Sequence, residues 1–443
     1  MIDKLVALVG APNVRTGVAC SPYLVDGRTP MAAVFPGTRE EIVGILRLAA
    51  ESSTPVIPWG GGTHMHVGTT PERPAVVLGL RRLARLVEHE PGDMTATVEA
   101  GMPLAALQTE LGQRGQWVPL DPTADPAATV GGVLAANVSG PRRQRYGTAR
   151  DLLLGLTAVL PGGTVVRGGG KVVKNVAGYD LPKLFVGAFG TLGIIAEATL
   201  RLRPRPDADR IVVARFPSVG AAARAAAAVL GSELEPTALD LVEPAGLADP
   251  PAEGAPPAAA AETALLIGVD GVAETVDWQC AELARVLEAA GATAVAVRDG
   301  EARDATWRLR AAMPRGGLAD TAAVMRWGLL PTDLGEVLAQ ARAAAVRARL
   351  DAAFAAHAGV GVVSAIVRGR GAEVDGVLRV LADWRELVLA RGGHASVEWA
   401  PLAVKERAAV WDEPGPAHRV ALEIKRRLDP SGIMNPGRLP GGL

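Results

Sequence analysis

The sequence has very little cysteine, no excess charge of either sign and no long uninterrupted apolar run. Only two cysteines occur, Cys20 and Cys280, and they lie far apart in the 443-residue chain. Two isolated cysteines support neither a disulfide framework, nor a zinc ribbon, nor a cysteine-ligated iron–sulfur cluster. No metal site is predicted, and an iron–sulfur cluster that takes electrons from this chain would belong to another chain.

Charge and apolar patterning exclude further classes of protein. The formal net charge is −1, so no basic excess favours binding to nucleic acid or to an acidic membrane surface. Arg, Glu and Asp repeatedly interrupt the alanine-rich stretches, so none of them is apolar enough to cross a bilayer. Residues 1–10 lack the basic flank and apolar run of a signal peptide. We expect a cytoplasmic protein, with peripheral attachment to the inner membrane through partners as an alternative.

Glycine, by contrast, is abundant and is concentrated in three regions of the first half, at residues 60–63, 121–140 and 175–195. We call the end of the last region, residues 187–195, the third glycine stretch. Without a Cβ atom the chain can adopt positive φ and direct several N–H groups at one point. A pyrophosphate is the commonest target of such a backbone arrangement. Three such stretches within one domain suggest a single long cofactor contacted at three places, although tight turns in an α+β domain also accumulate glycine.

Two familiar nucleotide-binding motifs are excluded by position. A dinucleotide fingerprint beginning at Gly60 would need a glycine where Met65 stands. A Walker loop ending at Gly170 and Lys171 would need serine or threonine where Val172 stands. The sequence is therefore not predicted to be an NAD enzyme or a P-loop NTPase.

The pattern of predicted strands and helices changes near residue 205. Before it, short strands alternate with helices, one of which Thr38 is predicted to cap. Beyond it, we predict alanine-rich helices at 220–230, 276–290 and 334–357, separated by strands at 210–216, 264–269, 292–297 and 361–367. This alternation of strands and helices predicts an antiparallel sheet covered on one face by helices. The predicted α+β fold comprises a first domain over 1–205, a cap over 206–404 containing a surface loop at 249–261, and a return to the first domain over 405–443.

Four motifs in this order resemble the PCMH-type FAD-binding domain of the FAD-linked oxidases. They are Trp59-Gly-Gly-Gly-Thr63, Thr129-Val-Gly-Gly132, Tyr146-Gly147 followed by Arg150-Asp151, and Gly190-Thr-Leu-Gly-Ile194. Residues 174–181 are similar to the FAD-binding accessory subunits of glycolate oxidases, and residues 435–438 resemble the tail of FAD-linked 2-hydroxy-acid dehydrogenases. The resemblance implies a two-domain PCMH-type fold with an antiparallel-sheet cap, and FAD as the cofactor.

The resemblance also implies which residues bind FAD. Residues 60–63 would hold the pyrophosphate, Ile194 and Ile195 would contact the adenine side, and residues 435–438 would lie near the flavin. The full implied set is Trp59, Gly60, Gly61, Gly62, Thr63, His64, Asp121, Thr129, Gly131, Gly132, Asn137, Gly190, Gly193, Ile194, Ile195, Asn435 and Arg438. Covalent relatives carry a histidine where Thr63 stands, so the FAD is expected to be non-covalent.

Candidate catalytic residues lie in the predicted cap. Relatives that oxidise 2-hydroxy acids place histidines there as base and metal ligands, and here only His357 matches, because valine replaces the expected second histidine. His394 and Glu398 lie in a segment similar to a catalytic Glu–His pair. Arg326, in a predicted strand, could clamp a carboxylate bidentately. For all four residues the alternative is a structural or solvated position.

Three functions remain open from the sequence. The first is a flavin subunit of a glycolate or lactate dehydrogenase or oxidase complex, working beside a second FAD subunit and an iron–sulfur subunit. The missing histidine and scarce cysteine favour it. The second is a self-sufficient FAD-dependent oxidase or dehydrogenase of an alcohol or hydroxy acid, with His357 or Glu398 as the base. The third is a flavin-free interaction subunit that retained the fold, against which the intact glycine stretches argue.

Overall fold

A computed structural model describes residues 1–122, 125–170, 179–244, 262–313 and 320–443. The predicted loop at 249–261 lies outside these ranges. The α-helices within them are α1 (Ile2–Val9), α2 (Arg39–Glu51), α3 (Leu104–Gly112), α4 (Val130–Ala136), α5 (Arg143–Tyr146), α6 (Ala149–Leu152), α7 (Pro182–Phe185), α8 (Val219–Leu230), α9 (Ala273–Ala289), α10 (Gly300–Ala312), α11 (Leu334–Arg347), α12 (Val374–Leu389), α13 (Leu402–Lys405) and α14 (His418–Leu428). No helix in the described ranges has the length and apolar character needed to span a membrane.

Within the described ranges, four sheets are formed by the following strands. They are β1 (Val14–Arg15), β2 (Ala32–Val34), β3 (Val56–Trp59), β4 (Val76–Gly79), β5 (Leu86–Glu90), β6 (Thr95–Glu99), β7 (Gln116–Trp117), β8 (Leu153–Val159), β9 (Val165–Gly169), β10 (Ile194–Arg201), β11 (Arg203–Pro204), β12 (Ala208–Phe216), β13 (Ala238–Glu243), β14 (Thr263–Gly271), β15 (Ala294–Arg298), β16 (Thr321–Gly328), β17 (Asp351–His357), β18 (Val362–Arg368) and β19 (His394–Trp399).

Two of the sheets share one hydrophobic core in the first half of the chain. One has the order β1-β2-β4-β3, with β2, β4 and β3 parallel, and the other is the antiparallel sheet β5-β6-β10-β8-β9. Helix α2 packs into this core through Ile42, Ile45 and Leu46. The Thr38 hydroxyl accepts the Glu41 N–H at 3.1 Å, which confirms the predicted cap. This core fixes the end of β3, where the first glycine stretch begins.

The large antiparallel sheet has the order β15-β12-β14-β13-β17-β18-β16-β19, and we call it the cap sheet. Helices α8, α9, α11 and α12 cover one face of it, as the sequence predicted. The opposite face, which we call the cap surface, carries a smaller apolar cluster to which Trp307 of α10 contributes. The cap surface is turned toward α5, which packs against β13.

The predicted helix over 334–357 is wrong in its second half. Helix α11 ends at Arg347, Arg349 adopts a left-handed φ of 59°, and the chain returns as β17. Strand β17 lies inside the cap sheet and its alanines are buried. Alanine has the highest helix propensity of any residue, but intrinsic propensity is a weak preference, and burial between two packed faces overrides it. The correction matters because it puts His357 at the end of a central strand.

The C-terminal tail runs beside β3. The Val56 N–H donates to the Ile433 carbonyl at 2.8 Å, and the Asn435 N–H donates to the Val56 carbonyl at 2.9 Å. Lys425 of α14 holds the turn before the tail, because its Nζ donates to Asp429 Oδ2 at 2.7 Å. These bonds bring residues 433–438 next to the first glycine stretch.

Candidate functional site

A cleft opens where the end of β3, helix α4, the third glycine stretch and the tail meet. The space between these elements, counted together with the part that is open to solvent, is about 700 Å³. Its walls are mostly backbone and small side chains. The lining residues are Pro58, Gly60, Gly61, Gly62, Thr63, His64, Met65, Leu80, Gly131, Gly132, Ala135, Ala136, Phe189, Gly190, Gly193, Ile195, Asn435 and Arg438.

The first glycine stretch offers backbone donors to this cleft. Within the described residues, the N–H groups of Gly60, Gly61 and Gly62 have no hydrogen-bond acceptor. A Cβ atom on Gly61 would lie 1.7 Å from the Ala127 carbonyl oxygen, and Gly62 has a φ of 76°. Only glycine therefore fits this stretch, and it leaves three adjacent N–H groups available to an anionic ligand.

Helix α4 forms a second wall. The Thr129 hydroxyl accepts the Gly132 N–H at 3.2 Å and caps the helix. A Cβ atom on Gly131 would lie 2.6 Å from the Ala100 Cβ. Helix α4 therefore packs directly against the residue that follows β6. On the cleft side, Ala135 and Ala136 continue the small-residue surface. A flat or extended ligand can therefore lie along α4.

The tail and the third glycine stretch close the opposite side. Asn435 Nδ2 donates to the Phe189 carbonyl at 2.7 Å. Arg438 Nη1 donates to the Thr69 carbonyl at 2.8 Å and pairs with Asp26 at 3.3 Å. Burial lowers the pKa of Arg438, and this effect outweighs the negative charge of Asp26, which raises it. Asn435 Oδ1 and Arg438 Nε are buried atoms that find no hydrogen-bond partner in the described ranges. They are polar groups beside the cleft that a ligand can satisfy.

A buried ionic cluster lies at the cap surface. His357 Nδ1 and Asp240 Oδ1 are 2.8 Å apart, and Arg310 Nε lies 2.6 Å from Asp240 Oδ2. Asp240 is 0% exposed and Arg310 is 4% exposed. Burial alone would raise the pKa of Asp240, but the charges and hydrogen bonds of Arg310 and His357 outweigh it and hold the pKa below its ordinary value. When His357 is neutral, an ionised Asp240 favours the tautomer with its proton on Nδ1, which leaves Nε2 as an acceptor.

Arg326 lies on the same surface, in β16. Its register partners are Ser364 in β18 and Ser396 in β19, while its neighbours Met325 and Trp327 point into the helix-covered core. His394 starts β19 across from Gly328 and is exposed. Strand alternation therefore puts Arg326, the two serines and His394 on the cap surface.

Glu398 is buried, and it lies at the irregularity in the pairing of β16 with β19. Its neighbour Val397 belongs to the helix-covered core, whereas Trp399 packs against the cluster on the cap surface. The alternation therefore breaks at this position, and the register does not assign Glu398 to the row that contains Arg326.

Two protein families match the chain and together span most of it. The FAD binding domain matches residues 30–169, and the C-terminal domain of FAD linked oxidases matches residues 205–439. This chain belongs to the FAD-linked oxidase family. Members of this family are FAD-dependent oxidoreductases, so FAD is its cofactor and the flavin-free interpretation is set aside.

Relatives and solved structures agree with this assignment. The glycolate oxidase subunit GlcD of Bacillus subtilis is 28% identical over 93% of this chain and 89% of its own length. A D-lactate dehydrogenase of Archaeoglobus fulgidus is 36% identical over 50% of each chain. Among solved structures, p-cresol methylhydroxylase with substrate bound superposes with a TM-score of 0.76 at 19% identity, covering 99% of this chain and 95% of that one. An alkyldihydroxyacetonephosphate synthase reaches 0.76 at 20% identity over 98% and 84%. Such distant structures show the PCMH-type fold alone.

Most of the predicted cofactor-binding residues of this FAD-linked oxidase line the cleft. Five of them do not, namely Trp59, Asp121, Thr129, Asn137 and Ile194. The Trp59 ring packs edge-on against Tyr23, the Thr129 side chain caps α4, and Ile194 is buried in the core. Asp121 accepts the N–H groups of Gly140 and Arg142, and Asn137 ends α4 with a φ of 47°. In the structure these five support the walls from behind, and their contact with FAD stays a prediction.

The sequence prediction missed other residues of the lining. They are Pro58, Met65, Leu80, Ala135, Ala136 and Phe189. Ala135 and Ala136 had a usable signal, since they follow Gly131 and Gly132 by one helical turn. Phe189 carried no such signal in the sequence. Its left-handed φ of 49° and its hydrogen bond from Asn435 depend on contacts between residues that are distant in sequence.

Other sequence predictions concern metals, thiols and the 174–181 motif. No three or more His, Cys, Asp or Glu side chains among the described residues are grouped to hold a metal ion. Cys20 and Cys280 are buried free thiols, and burial raises the pKa of each. Residues 174–178 of the motif lie outside the described ranges.

Proposed function

We propose that this chain is the FAD-binding subunit of a 2-hydroxy-acid dehydrogenase or oxidase complex that acts on glycolate or lactate. The observation that carries the proposal is the cleft, which is lined by residues from four separate stretches of the chain and by Leu80. The similarity to a glycolate oxidase subunit over 93% of the chain supports the substrate class. A cytoplasmic location, with attachment to the inner membrane through partners, is part of the same proposal.

Each wall of the cleft would hold a different part of FAD. The free N–H groups of Gly60, Gly61 and Gly62 suit the pyrophosphate, and the backbone at Gly193 and Ile195 suits the adenine side. Asn435 Oδ1 and Arg438 would lie near the flavin. When bound, FAD supplies the two-electron chemistry, and the residues named above hold and orient it.

The FAD is proposed to be non-covalent, since threonine stands at residue 63. However, His64 also lines the cleft, with its Nδ1 3.1 Å from Thr63 Oγ1. Acid precipitation of the yellow protein should release all flavin into the supernatant. Flavin that remains in the pellet would contradict the proposal, and its loss in a His64→Ala variant would locate the covalent bond.

Cys20 and Cys280 are isolated, buried free thiols, so they do not form the ligand set of an iron–sulfur cluster. Electrons from FAD would then pass to a cluster in a partner. We propose a second FAD subunit and an iron–sulfur subunit as partners. Purification of the tagged chain from its native host should co-purify iron, acid-labile sulfide and more than one FAD per copy of this chain. A homogeneous chain with one FAD and no iron, active with an artificial acceptor, would contradict the complex.

A second candidate function is a self-sufficient 2-hydroxy-acid dehydrogenase or oxidase. The His357–Asp240 bond favours it, because His357 Nε2 is then an acceptor for the substrate hydroxyl proton and Arg326 could hold the carboxylate. Anaerobic titration of the isolated yellow chain with glycolate and D-lactate separates the two. Bleaching without partners supports the second candidate, whereas bleaching only after partners are added supports the first.

A further inference from the structure

A second buried ionic cluster lies beside the cleft, and three segments that are distant in sequence form it. Lys405 Nζ donates to Asp26 Oδ2 at 2.5 Å. Arg438 Nη1 pairs with the same carboxylate oxygen at 3.3 Å. The exposed fractions of the side chains are 7% for Asp26, 1% for Lys405 and 2% for Arg438. We call these three residues the tail cluster, and its low exposure means that water reaches it very little.

The tail cluster also fixes the loop that follows the first glycine stretch. Lys405 Nζ donates to the His66 carbonyl at 2.8 Å. Arg438 donates to the Met65 and Thr69 carbonyls. Because two backbone carbonyls hold Arg438, its position does not depend on the shared carboxylate alone.

The tail cluster contains two cations and one carboxylate. Across the ranges that the structure describes, Asp26 is the only acidic side chain that pairs with Lys405 or Arg438. Burial lowers the pKa of Lys405, and the adjacent Asp26 carboxylate opposes that shift by favouring the ammonium form. The cluster therefore carries one positive charge that no described acidic side chain compensates. Its burial keeps this charge from being screened by water and salt.

One donor of the tail cluster has no acceptor in the described parts of the protein. Arg438 lines the cleft, and its Nε is buried without a hydrogen-bond partner there. The N–H groups of a guanidinium lie in one rigid plane, so the bonds of Nη1 and Nη2 also fix the direction of the Nε–H group. A buried donor that no protein group satisfies suits an acceptor atom of a ligand in the cleft.

We propose that the tail cluster raises the reduction potential of the FAD in the cleft, with Lys405 as a positioning residue that acts through Asp26 and Arg438. The inference rests on the proposed function, which puts the flavin next to Arg438. Two electrons and one proton convert the neutral oxidised flavin ring into a reduced ring with one negative charge. A fixed positive charge nearby stabilises the reduced ring more than the oxidised one. Lys405 shares the only carboxylate of the cluster, and so the charge of Arg438 is not cancelled.

The test equilibrates the FAD-loaded chain with an indicator dye of known potential, so it needs neither substrate nor partner. Lys405→Gln removes one cation and should lower the equilibrium constant for flavin reduction about 10-fold, which is about 30 mV for a two-electron couple. Arg28→Gln is the matched control, because it removes an exposed cation that pairs with Glu406 beside the same cluster. It should leave the constant within about twofold of the wild type.

A second variant tests the sign of the effect. Asp26→Asn removes the negative charge, while the Met65 and Thr69 carbonyls still hold Arg438, so the equilibrium constant for flavin reduction should rise. Loosened packing alone would not shift the potential of Asp26→Asn and Lys405→Gln in opposite directions. Arg438→Gln removes the other cation and should lower the constant, which provides a further measurement if Lys405→Gln does not fold.

Flavin content and the thermal midpoint verify loading and folding of each variant. Wild-type potentials in FAD-loaded Lys405→Gln and Arg438→Gln would overturn the inference. Shifts of the same sign in Lys405→Gln and Asp26→Asn would overturn it too, because charge would not then be their cause. A wild-type flavin that no 2-hydroxy acid reduces, even with partners present, would instead contradict the proposed function and leave the dye measurement valid.

Discussion

The cleft and the cap surface present different chemistry to a ligand. Glycine and alanine make up half of the cleft lining, which includes the three unbonded N–H groups of Gly60, Gly61 and Gly62. The cap surface instead carries charged side chains, with Asp240 and Arg310 fully or almost fully buried. A cleft made of backbone tolerates no added atoms, whereas a surface made of paired charges tolerates no missing partner. The two regions should therefore respond to opposite kinds of substitution.

Removing a charge at the cap surface should have the largest effect. Asp240→Ala leaves Arg310 buried without its carboxylate and should lower the free energy of unfolding by about 3–5 kcal/mol. Urea denaturation measures the loss. The control is Asp277→Ala, which breaks the exposed pair with Arg210 and should cost about 0–1 kcal/mol. Equal losses in the two variants would mean that burial of the pair is unimportant.

Acidification should weaken the same cluster in a defined pH window. The folded state holds the pKa of Asp240 below its ordinary value of 3.8. The pair therefore stabilises the fold fully above that value, and its contribution is lost as the pH falls toward the lowered pKa. The difference in unfolding free energy between wild type and Asp240→Asn should shrink as the pH falls from about 5 toward the lowered pKa. A difference that grows over that acidic range would contradict this sign.

Adding one methyl group should have the largest effect in the cleft. The Cβ atom of Gly61→Ala would collide with the Ala127 carbonyl, so the loop must shift. Overpacking of this kind costs about 1–3 kcal/mol, and a shifted loop that loses the same amount of binding free energy weakens FAD binding about 5- to 150-fold. Titration of the apoprotein with FAD, followed by flavin fluorescence, measures it. Gly162→Ala, whose added Cβ atom meets no atom within 4 Å, should bind FAD like the wild type.

The cleft was predictable from sequence because its chemistry demands a residue type. Close backbone approach excludes a Cβ atom, and so Gly60, Gly61 and Gly62 are visible as glycines in the sequence. The order of the glycine stretches then identified the family and the PCMH-type fold. Met65 and Leu80, which also line the cleft, were not predicted, because ordinary apolar residues carry no such mark.

The cap surface was less predictable because its partners are distant in sequence. His357 bonds to Asp240, which precedes it by 117 residues, and no local pattern connects the two. The alanine-rich approach to His357 even predicted helix, and only its place inside the cap sheet makes it a strand. Register, which sequence periodicity cannot supply across strands, decides which side chains meet there.

The smallest effect concerns two helix caps of the same kind, one at the cleft and one on the helix-covered face of the cap sheet. Thr129 caps α4 at the cleft and Ser218 caps α8 behind the cap sheet, and each hydroxyl accepts an N–H three residues later, at 3.2 and 3.3 Å. Thr129→Ala and Ser218→Ala should each lower stability by about 1 kcal/mol. Only Thr129→Ala should also weaken FAD binding, because α4 forms a wall of the cleft and α8 does not. Equal FAD affinity in the two variants would show that the position of the α4 N-terminus does not matter for the cofactor.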